Sequence, residues 1–373
     1  MIVIALGTRA ELIKMAPVMR ELSGRKLDYY YVHSGQHDVR DLCASLGVRA
    51  PDLSLEIPET MRGRFGGTLE ALYWSLRTIL RLRNVFTDKK HVGDVKLVLV
   101  HGDTMTTATA ALAARSILFN RPKVGHVEAG LRSGNLSEPF PEEISRRIAD
   151  ACSDLFFAPT KKAANNLDAE GAGAEKIFVT GNTNIDVLQQ NLPHAKKSRL
   201  TLPQSPYVLA QLHRQENIKS KQRLESFIGL LEKIPARVVF IFLENTRAKA
   251  KKFGLEQRIL SAPNITTTDN LPYHDFLRAF SNASLIITDG GGQTEEACAL
   301  KIPAIIFRQA SERQEAEEAG CAIRVGADAE KALALAKEAL SHGAFYKRAK
   351  GSKNPFGDGN AAKKIVDAIQ KAA

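Results

Sequence analysis

Short β-branched or aromatic runs alternate with longer amphipathic segments from one end of the chain to the other. In the first half the pattern predicts a strand over 2–6, a helix over 11–22 and a strand over 28–33. After an irregular stretch come a helix near 69–82, the most apolar strand at 95–100 and a helix from Thr104. Strands at 124–127, 155–158 and 177–179 follow, with a helix around 141–150. The second half restarts the rhythm, with strands at 207–212, 238–243, 265–268, 285–288, 304–307 and 322–325. Helices fall between them at about 223–233, 275–280, 294–300 and 329–340. Continuous apolar strands alternating with helices mean parallel sheets covered on both faces. The expected fold is α/β, with two Rossmann-like domains at 1–190 and 191–373. Ligands of such sheets bind outside the carboxyl ends of the strands, so two facing domains would place the site in a cleft. Segment 191–206, NLPHAKKSRLTLPQSP, is rich in proline and basic residues and reads as the linker. The amphipathic end, 361–373, suits packing on either domain and is expected to cross back to the first.

Composition narrows the class. Of 373 residues, 44% are hydrophobic and 25% charged, enough apolar surface for a core without staples. The four cysteines are widely spaced, with no CxxC pair, so neither a disulfide framework nor a zinc cluster is expected and a cytoplasmic setting is. The opening apolar run is too short to span a membrane and lacks a basic flank, so it reads as a strand; no membrane association is expected. A net charge of +11 admits nucleic acid or an anionic substrate. No RRM, KH or helix-turn-helix signature supports nucleic acid, and much of the charge sits in KKSR (196–199), RAKAKK (247–252) and KRAK (347–350), which read as solvated surface.

The chemistry gathers at strand ends. The loop Gly7-Thr8-Arg9-Ala10-Glu11 is not GxGxxG, and that fingerprint occurs nowhere else, which removes the usual support for a dinucleotide. Gly7 suits a tight turn. Arg9 at a helix start and Lys14 about one turn on can reach a phosphate, or can be solvated charges beside a helix. Asp103, after the most apolar strand, is either the cap of the next helix or a catalytic carboxylate. Glu128 ends the strand at 124–127, and Glu142 and Glu143 open a helix, where the macrodipole favours acids in any case. Gathered at one cleft mouth, Asp103, Glu128 and Glu142 would raise one another's pKa, as general acid/base work requires. His213, after the second domain's first strand, can act as an acid or hold developing phosphate charge. Gly290, Gly291 and Gly292 lie between a strand and a helix, where the backbone can cradle a diphosphate and Glu296 can bind ribose hydroxyls. Arg308, Ser311, Glu312 and Arg313 add anion-binding groups one strand later. Neither metal-ligand spacing nor a cofactor motif occurs, so Arg9, Lys14, His213 and Arg313 would do a cation's work. These residues favour a nucleotide-sugar enzyme without naming its reaction.

The motifs GTRAELIKMAPV (7–18), SGQHD (34–38), HGDT (101–104), HVEAGLRSGN (126–135), PFPEEISR (139–146) and FAPT (157–160) continue into VTGNTNID (179–186), HRQEN (213–217), DGGGQTEE (289–296) and SERQEA (311–316). Together they resemble the non-hydrolysing UDP-N-acetylglucosamine 2-epimerases, which have the glycosyltransferase-B architecture. The resemblance implies interconversion of UDP-GlcNAc and UDP-ManNAc by elimination of UDP to a 2-acetamidoglucal and re-addition, without a cofactor. It implies Asp103, Glu128 and Glu142 as the acid/base set, leaving open which removes the C2 proton, with His213 supporting diphosphate departure. Nucleotide binding carries over to Arg9, Lys14, Gly290, Gly291, Gly292, Glu296 and Arg313. Tyr273 and Phe276 resemble the segment beside the uracil, with Phe276 packing on the base and Leu271 offering backbone groups. A homodimer is expected. A hydrolysing epimerase that releases ManNAc and UDP, and a glycosyltransferase of the same architecture, are the alternatives. The chain departs from the family pattern at Ala10, Gly290, Thr294 and Gln314, where proline, serine, glutamine and proline are usual. Leu243-Glu244-Asn245-Thr246 replaces the His-x-Asn-Pro segment associated with activation by UDP-GlcNAc, so no such activator is expected.

Overall fold

The apolar runs become two parallel sheets. In a computed structural model describing residues 1–35, 38–55, 68–135 and 141–372, the first sheet comprises β1 (Ile2–Leu6), β2 (Tyr29–His33), β3 (Leu53–Ser54), β4 (Leu97–His101), β5 (Lys123–Val127), β6 (Leu155–Ala158) and β7 (Ile177–Val179). Their spatial order is β3-β2-β1-β4-β5-β6-β7. The second comprises β8 (Tyr207–Gln211), β9 (Arg237–Ile241), β10 (Ile265–Thr268), β11 (Leu285–Thr288), β12 (Ala304–Ile306) and β13 (Ala322–Arg324), in the order β10-β9-β8-β11-β12-β13. Every neighbouring pair is parallel, with Val3 beside Tyr30 and Val98 in the first sheet and Leu209 beside Val239 and Ile286 in the second. In each order the direction of winding reverses once, at β1/β4 and at β8/β11. Such reversals splay the loops at the carboxyl ends apart and leave room for a ligand.

Alternation along the strands decides what each sheet face meets. Ile4, Leu6, Leu97 and Leu99 pack with helix Arg9–Gly24 and the C-terminal helix Ala361–Ala372. Val3, Ala5, Val98 and Val100 point the other way, onto helices Thr68–Thr87 and Met105–Arg115. Both faces are buried, which is why the strands read as continuous apolar runs rather than alternating ones. One face of the second sheet, with Val208, Ala210, Phe240 and Ile287, is buried against helices Lys221–Lys233 and Ala329–Leu340.

The chain divides into two units, Met1–Val187 with Gly357–Ala373, and Leu188–Phe356. The first crossing falls inside helix Thr183–Ala195, which runs through Pro193 into the stretch read from sequence as linker. The last helix joins the first unit. Asp186 accepts from the amides of Ala361 and Ala362 at 3.1 and 2.9 Å, capping the helix start. Ile365 and Ile369 enter the core beside Leu12 and Met15, and Arg25 pairs with Asp367 at 2.6 Å.

Candidate active site

Each switch point carries a polar cluster. In the first unit, the loop after β1 is fixed by Glu11, a buried carboxylate. Its Oε2 accepts from the Gly7 and Thr8 amides at 3.0 and 2.7 Å, and Thr8 Oγ1 returns the bond by accepting from the Glu11 amide at 3.2 Å. This is a capping box at the head of helix Arg9–Gly24. Oε1 accepts from Thr104 Oγ1 at 2.7 Å and Thr107 Oγ1 at 3.1 Å, across the switch point. Burial raises the pKa of Glu11 and the hydrogen bonds oppose the shift. Gly7 is obligatory here, since a Cβ would stand 2.0 Å from Thr106 Oγ1. Arg9 opens the helix and is exposed.

After β4, Thr104 and not Asp103 caps helix Met105–Arg115. Asp103 is instead held by Arg146, whose Nη2 donates at 2.5 Å while its Nη1 donates to Glu143 at 2.7 Å. Arg146 and Glu143 are fully buried and Asp103 is partly exposed. Glu142, half-buried, is the first residue of helix Glu142–Cys152, which also carries Glu143 and Arg146.

Glu128 follows β5 and is buried, with φ of +69°. A left-handed backbone costs a non-glycine residue about 1 kcal/mol or more, and such strain persists only where its surroundings enforce it. On Oε2 converge Lys14 Nζ at 2.8 Å, Asn182 Nδ2 at 3.2 Å and His101 Nε2 at 3.5 Å. His101 is buried and its pKa is pushed down to about 4 by desolvation, which outweighs the opposing Glu128 charge, with the Lys14 charge adding a smaller push down. Its ring is neutral at pH 7. Neither ring nitrogen makes a hydrogen bond among the described residues. Beneath it, His126 Nδ1 contacts Asp150 at 2.7 Å and Nε2 contacts the Gly102 carbonyl at 2.8 Å. Burial would raise the Asp150 pKa, but His126 and Arg132 hold it below the ordinary value.

In the second unit Asp289, fully buried after β11, organises the loop after β8. It accepts from the His213 amide at 3.1 Å, the Arg214 amide at 2.9 Å and Asn217 Nδ2 at 3.0 Å. His213 Nδ1 lies 3.0 Å from Asp289 Oδ1. Burial would raise the Asp289 pKa; the His213 and Asn217 contacts outweigh it, so Asp289 stays a carboxylate. Gly290 precedes helix Gly291–Leu300, whose N-terminus has no side-chain cap, and the Gly290 amide donates to Thr288 Oγ1 at 2.9 Å. Cβ atoms at Gly290 and Gly291 would stand 3.2 Å from His213 Cε1 and 3.1 Å from Glu312 Oε1, so His213 and Glu312 close directly over the turn. Arg313 Nε donates to Glu295 Oε1 at 2.7 Å. Glu296 is buried in the same helix, and its charge, after burial, raises the pKa of Tyr273. Tyr273 and Phe276 stack at 6.4 Å and 17°, with Leu271 half-buried just before them.

The structure thus brings Lys14 to Glu128, places Asp103 after β4 and Glu142 at the head of helix Glu142–Cys152, and gathers His213, the glycine turn and Arg313 at the second switch point. The sequence reading passed over Glu11, His101, Arg146, Asn182 and Asp289 as site residues. Only Glu11 carried a spacing signal, the Thr8-x-x-Glu11 capping box; the others are recognised by which strand end they share. Gln36 and His37 of the SGQHD motif, and Pro139 and Phe140 of PFPEEISR, lie outside the described residues. Among the described residues no group of three or more His, Cys, Asp or Glu is arranged to hold a metal ion, and no helix is long and apolar enough to cross a membrane.

Known proteins share this fold. The family profile for UDP-N-acetylglucosamine 2-epimerase matches residues 20–370. The UDP-N-acetylglucosamine 2-epimerase of Methanococcus maripaludis is 35% identical over 98% of this chain and 97% of its own. That of Bacillus subtilis is 35% identical over 97% of this chain and 93% of its own. The crystal structure of the Methanocaldococcus jannaschii UDP-GlcNAc 2-epimerase, in complex with UDP-GlcNAc and UDP, superposes with a TM-score of 0.85 at 34% identity, covering 99% of both chains. The fold is accordingly the glycosyltransferase-B type of these enzymes, and the chain belongs to the UDP-N-acetylglucosamine 2-epimerase family.

Proposed function

We propose that the protein is the non-hydrolysing form of the enzyme, interconverting UDP-GlcNAc and UDP-ManNAc and supplying ManNAc-type sugars for surface polysaccharide or glycoconjugate synthesis. The C2 proton is not next to a carbonyl, so its removal to a free carbanion is too costly. Elimination avoids that: a carboxylate takes the C2 proton, the C–H pair becomes the C1=C2 double bond, and the C1–O pair leaves with UDP. Protonation of the 2-acetamidoglucal on the opposite face and return of UDP complete the inversion. Asp103, Glu128 and Glu142 serve as the acid/base groups. Arg9, Lys14, the glycine turn and Arg313 bind the diphosphate, His213 steadies its departure, Glu296 takes the ribose hydroxyls, and Leu271 and Phe276 take the base.

The observation that carries this reading is Glu128: a buried carboxylate on strained backbone with Lys14, Asn182 and His101 all directed at one oxygen. That arrangement fixes where the other oxygen points and suits proton transfer from a positioned carbon. The segments IKMAP (13–17) and HRQEN (213–217) favour the non-hydrolysing branch. Turnover of UDP-GlcNAc in D2O, followed by NMR, tests both parts. Deuterium at C2 of both UDP-sugars is the expected result; free ManNAc would move the enzyme to the hydrolysing class, and no exchange would sink the epimerase reading. Hyperbolic rather than sigmoidal dependence on UDP-GlcNAc is expected, given Leu243-Glu244-Asn245-Thr246.

A cytoplasmic homodimer completes the proposal. Leu72, Tyr73, Leu76 and Leu80 recur along one side of helix Thr68–Thr87 and are 56%, 56%, 55% and 61% exposed. An apolar stripe this open suits a self-complementary interface with a second copy. Leu76→Glu should convert the dimer to a monomer in sedimentation velocity; a wild-type chain that sediments as a monomer would refute it.

A further inference from the structure

The second unit holds an ionic cluster whose members do more than the roles above require. Arg308, two residues after β12, is 1% exposed. Its Nε, Nη1 and Nη2 have no hydrogen-bond partner among the described residues, and its Nη1 lies 3.2 Å from Glu312 Oε2, a contact of charge rather than an aligned hydrogen bond. The other oxygen of Glu312 holds Arg313 Nη1 at 2.8 Å and lies 3.8 Å from Arg214 Nη2. Arg313 is gripped again by Glu295 at 2.7 Å, and Gly291 abuts both Glu312 and Arg313. One carboxylate, Glu312, is therefore shared by three guanidiniums beside the glycine turn, and Arg308 is the one it meets without an aligned hydrogen bond. Burying a guanidinium without aligned acceptors is expensive, and an apolar side chain of similar volume would serve stability at least as well. The charge is explained if a ligand's negative charge completes the cluster.

We propose that Arg308 and Glu312 are positioning residues for the diphosphate: Arg308 anchors Glu312, Glu312 aims Arg313, and the cluster retains UDP while the unsaturated sugar is protonated. This rests on the epimerase reading above. Its consequence falls on the fate of the intermediate. Once the C1–O bond has broken, with the electron pair on the UDP oxygen and the C2 proton on a carboxylate, UDP and 2-acetamidoglucal either recombine or separate. A weaker hold on UDP lets the glycal escape before recombination.

The test follows UDP-GlcNAc turnover by proton and phosphorus NMR in the wild type, Arg308→Gln and Arg308→Lys, with the Kd for UDP from calorimetry. In Arg308→Gln the ratio of released glycal to UDP-ManNAc and the Kd for UDP should each rise at least about tenfold, and Arg308→Lys should restore most of both. The ratio counts events per turnover, so a partly unfolded sample does not move it; a merely structural role would lower total turnover at constant ratio. Wild-type ratio and Kd in folded Arg308→Gln would overturn the proposal. If Arg308→Gln does not fold, Glu312→Gln is measured in the same way, and unchanged values there overturn it equally. A wild type that neither epimerises nor releases glycal defeats the epimerase reading instead, and the Kd comparison then still decides whether Arg308 supports UDP binding.

Discussion

The two switch points are built alike and filled differently. At β1/β4 the proposed reaction makes the carboxylates the working groups: Glu128 is held by Lys14 and Asn182, Asp103 by Arg146, and Glu11 ties the two loops together. At β8/β11 the carboxylates are counter-ions: Asp289 holds His213, and Glu295 and Glu312 brace Arg313. One fold rule, reversal of winding at a central strand pair, supplies the position; the charge of the side chain that is left over supplies the chemistry. Carboxylates with cationic helpers suit proton transfer, and cations with carboxylate helpers suit holding a leaving diphosphate.

If that contrast is right, variants in the two regions damage different quantities. Glu128→Gln should lower kcat about 1,000-fold, in the range of a lost general base, and leave the Kd for UDP within about twofold. Arg313→Met should instead raise that Kd by about tenfold or more, the loss of a charge-assisted contact. Steady-state kinetics beside UDP calorimetry separate the two, and a shared pattern of losses would dissolve the comparison. The glycines part in the same way. Gly7→Ala drives a Cβ into Thr106, so the first unit should lose about 3 kcal/mol or fail to fold. Gly291→Ala meets only side-chain ends at 3.1 and 3.2 Å, so its thermal midpoint should stay near the wild type's while UDP binding weakens about tenfold.

A third difference concerns pH. Unfolded, the His101 ring takes a proton near pH 6.5; folded, it does so only near 4, chiefly because burial disfavours the cation. Between those values the unfolded chain binds the extra proton, so acidification favours unfolding, and the contribution is complete below about pH 4. The shift corresponds to about 3 kcal/mol at its full extent. The thermal midpoint of the wild type should therefore fall more steeply between pH 6.5 and pH 4.5 than that of His101→Asn. Carbon-13 shifts of the ring should show the neutral form throughout that window; an imidazolium at pH 6 would contradict the burial argument.

How much of this was legible beforehand follows from the physics of each feature. Strands buried on both faces announce themselves by hydrophobic runs, so β1, β4, β6, β11 and β12 could be read within a residue or two of their bounds. Helices Glu244–Lys252 and Lys161–Ala169 could not, because each buries only two residues, Thr246 and Ala250 in one and Ala163 and Leu167 in the other. The proline-rich stretch put the boundary at 190/191, three residues from where the units divide, although helix Thr183–Ala195 runs on through Pro193. Among the candidate site residues, Asp103 left two readings open, and the structure removes the capping one because Thr104 supplies the cap. Partnership is the part a linear pattern does not carry: nothing near Arg146 foretells Asp103, 43 residues away, and Asp289 reads as one more loop acid until His213 is seen beside it.

The smallest expected effect is also the sharpest use of the comparison. Each unit contains a buried polar group with no hydrogen-bond partner among the described residues: His101 in the first and the Tyr273 hydroxyl in the second. The first sits against Glu128 and should matter. The second lies within the influence of Glu296 but makes no hydrogen bond, and burial raises its pKa so far that it remains a neutral phenol. Removing a buried hydroxyl that has no partner relieves a desolvation penalty and loses no bond, so Tyr273→Phe should be neutral or stabilising by about 0.5–1 kcal/mol. The Phe276 stack depends on the ring and not on the hydroxyl, so it should survive the change, as should the Kd for UDP. Calorimetry and thermal denaturation of Tyr273→Phe check both. A loss of UDP affinity greater than about threefold would mean that the hydroxyl finds its partner on the ligand, and the second unit would then read its nucleotide by an oriented hydroxyl as well as by charge.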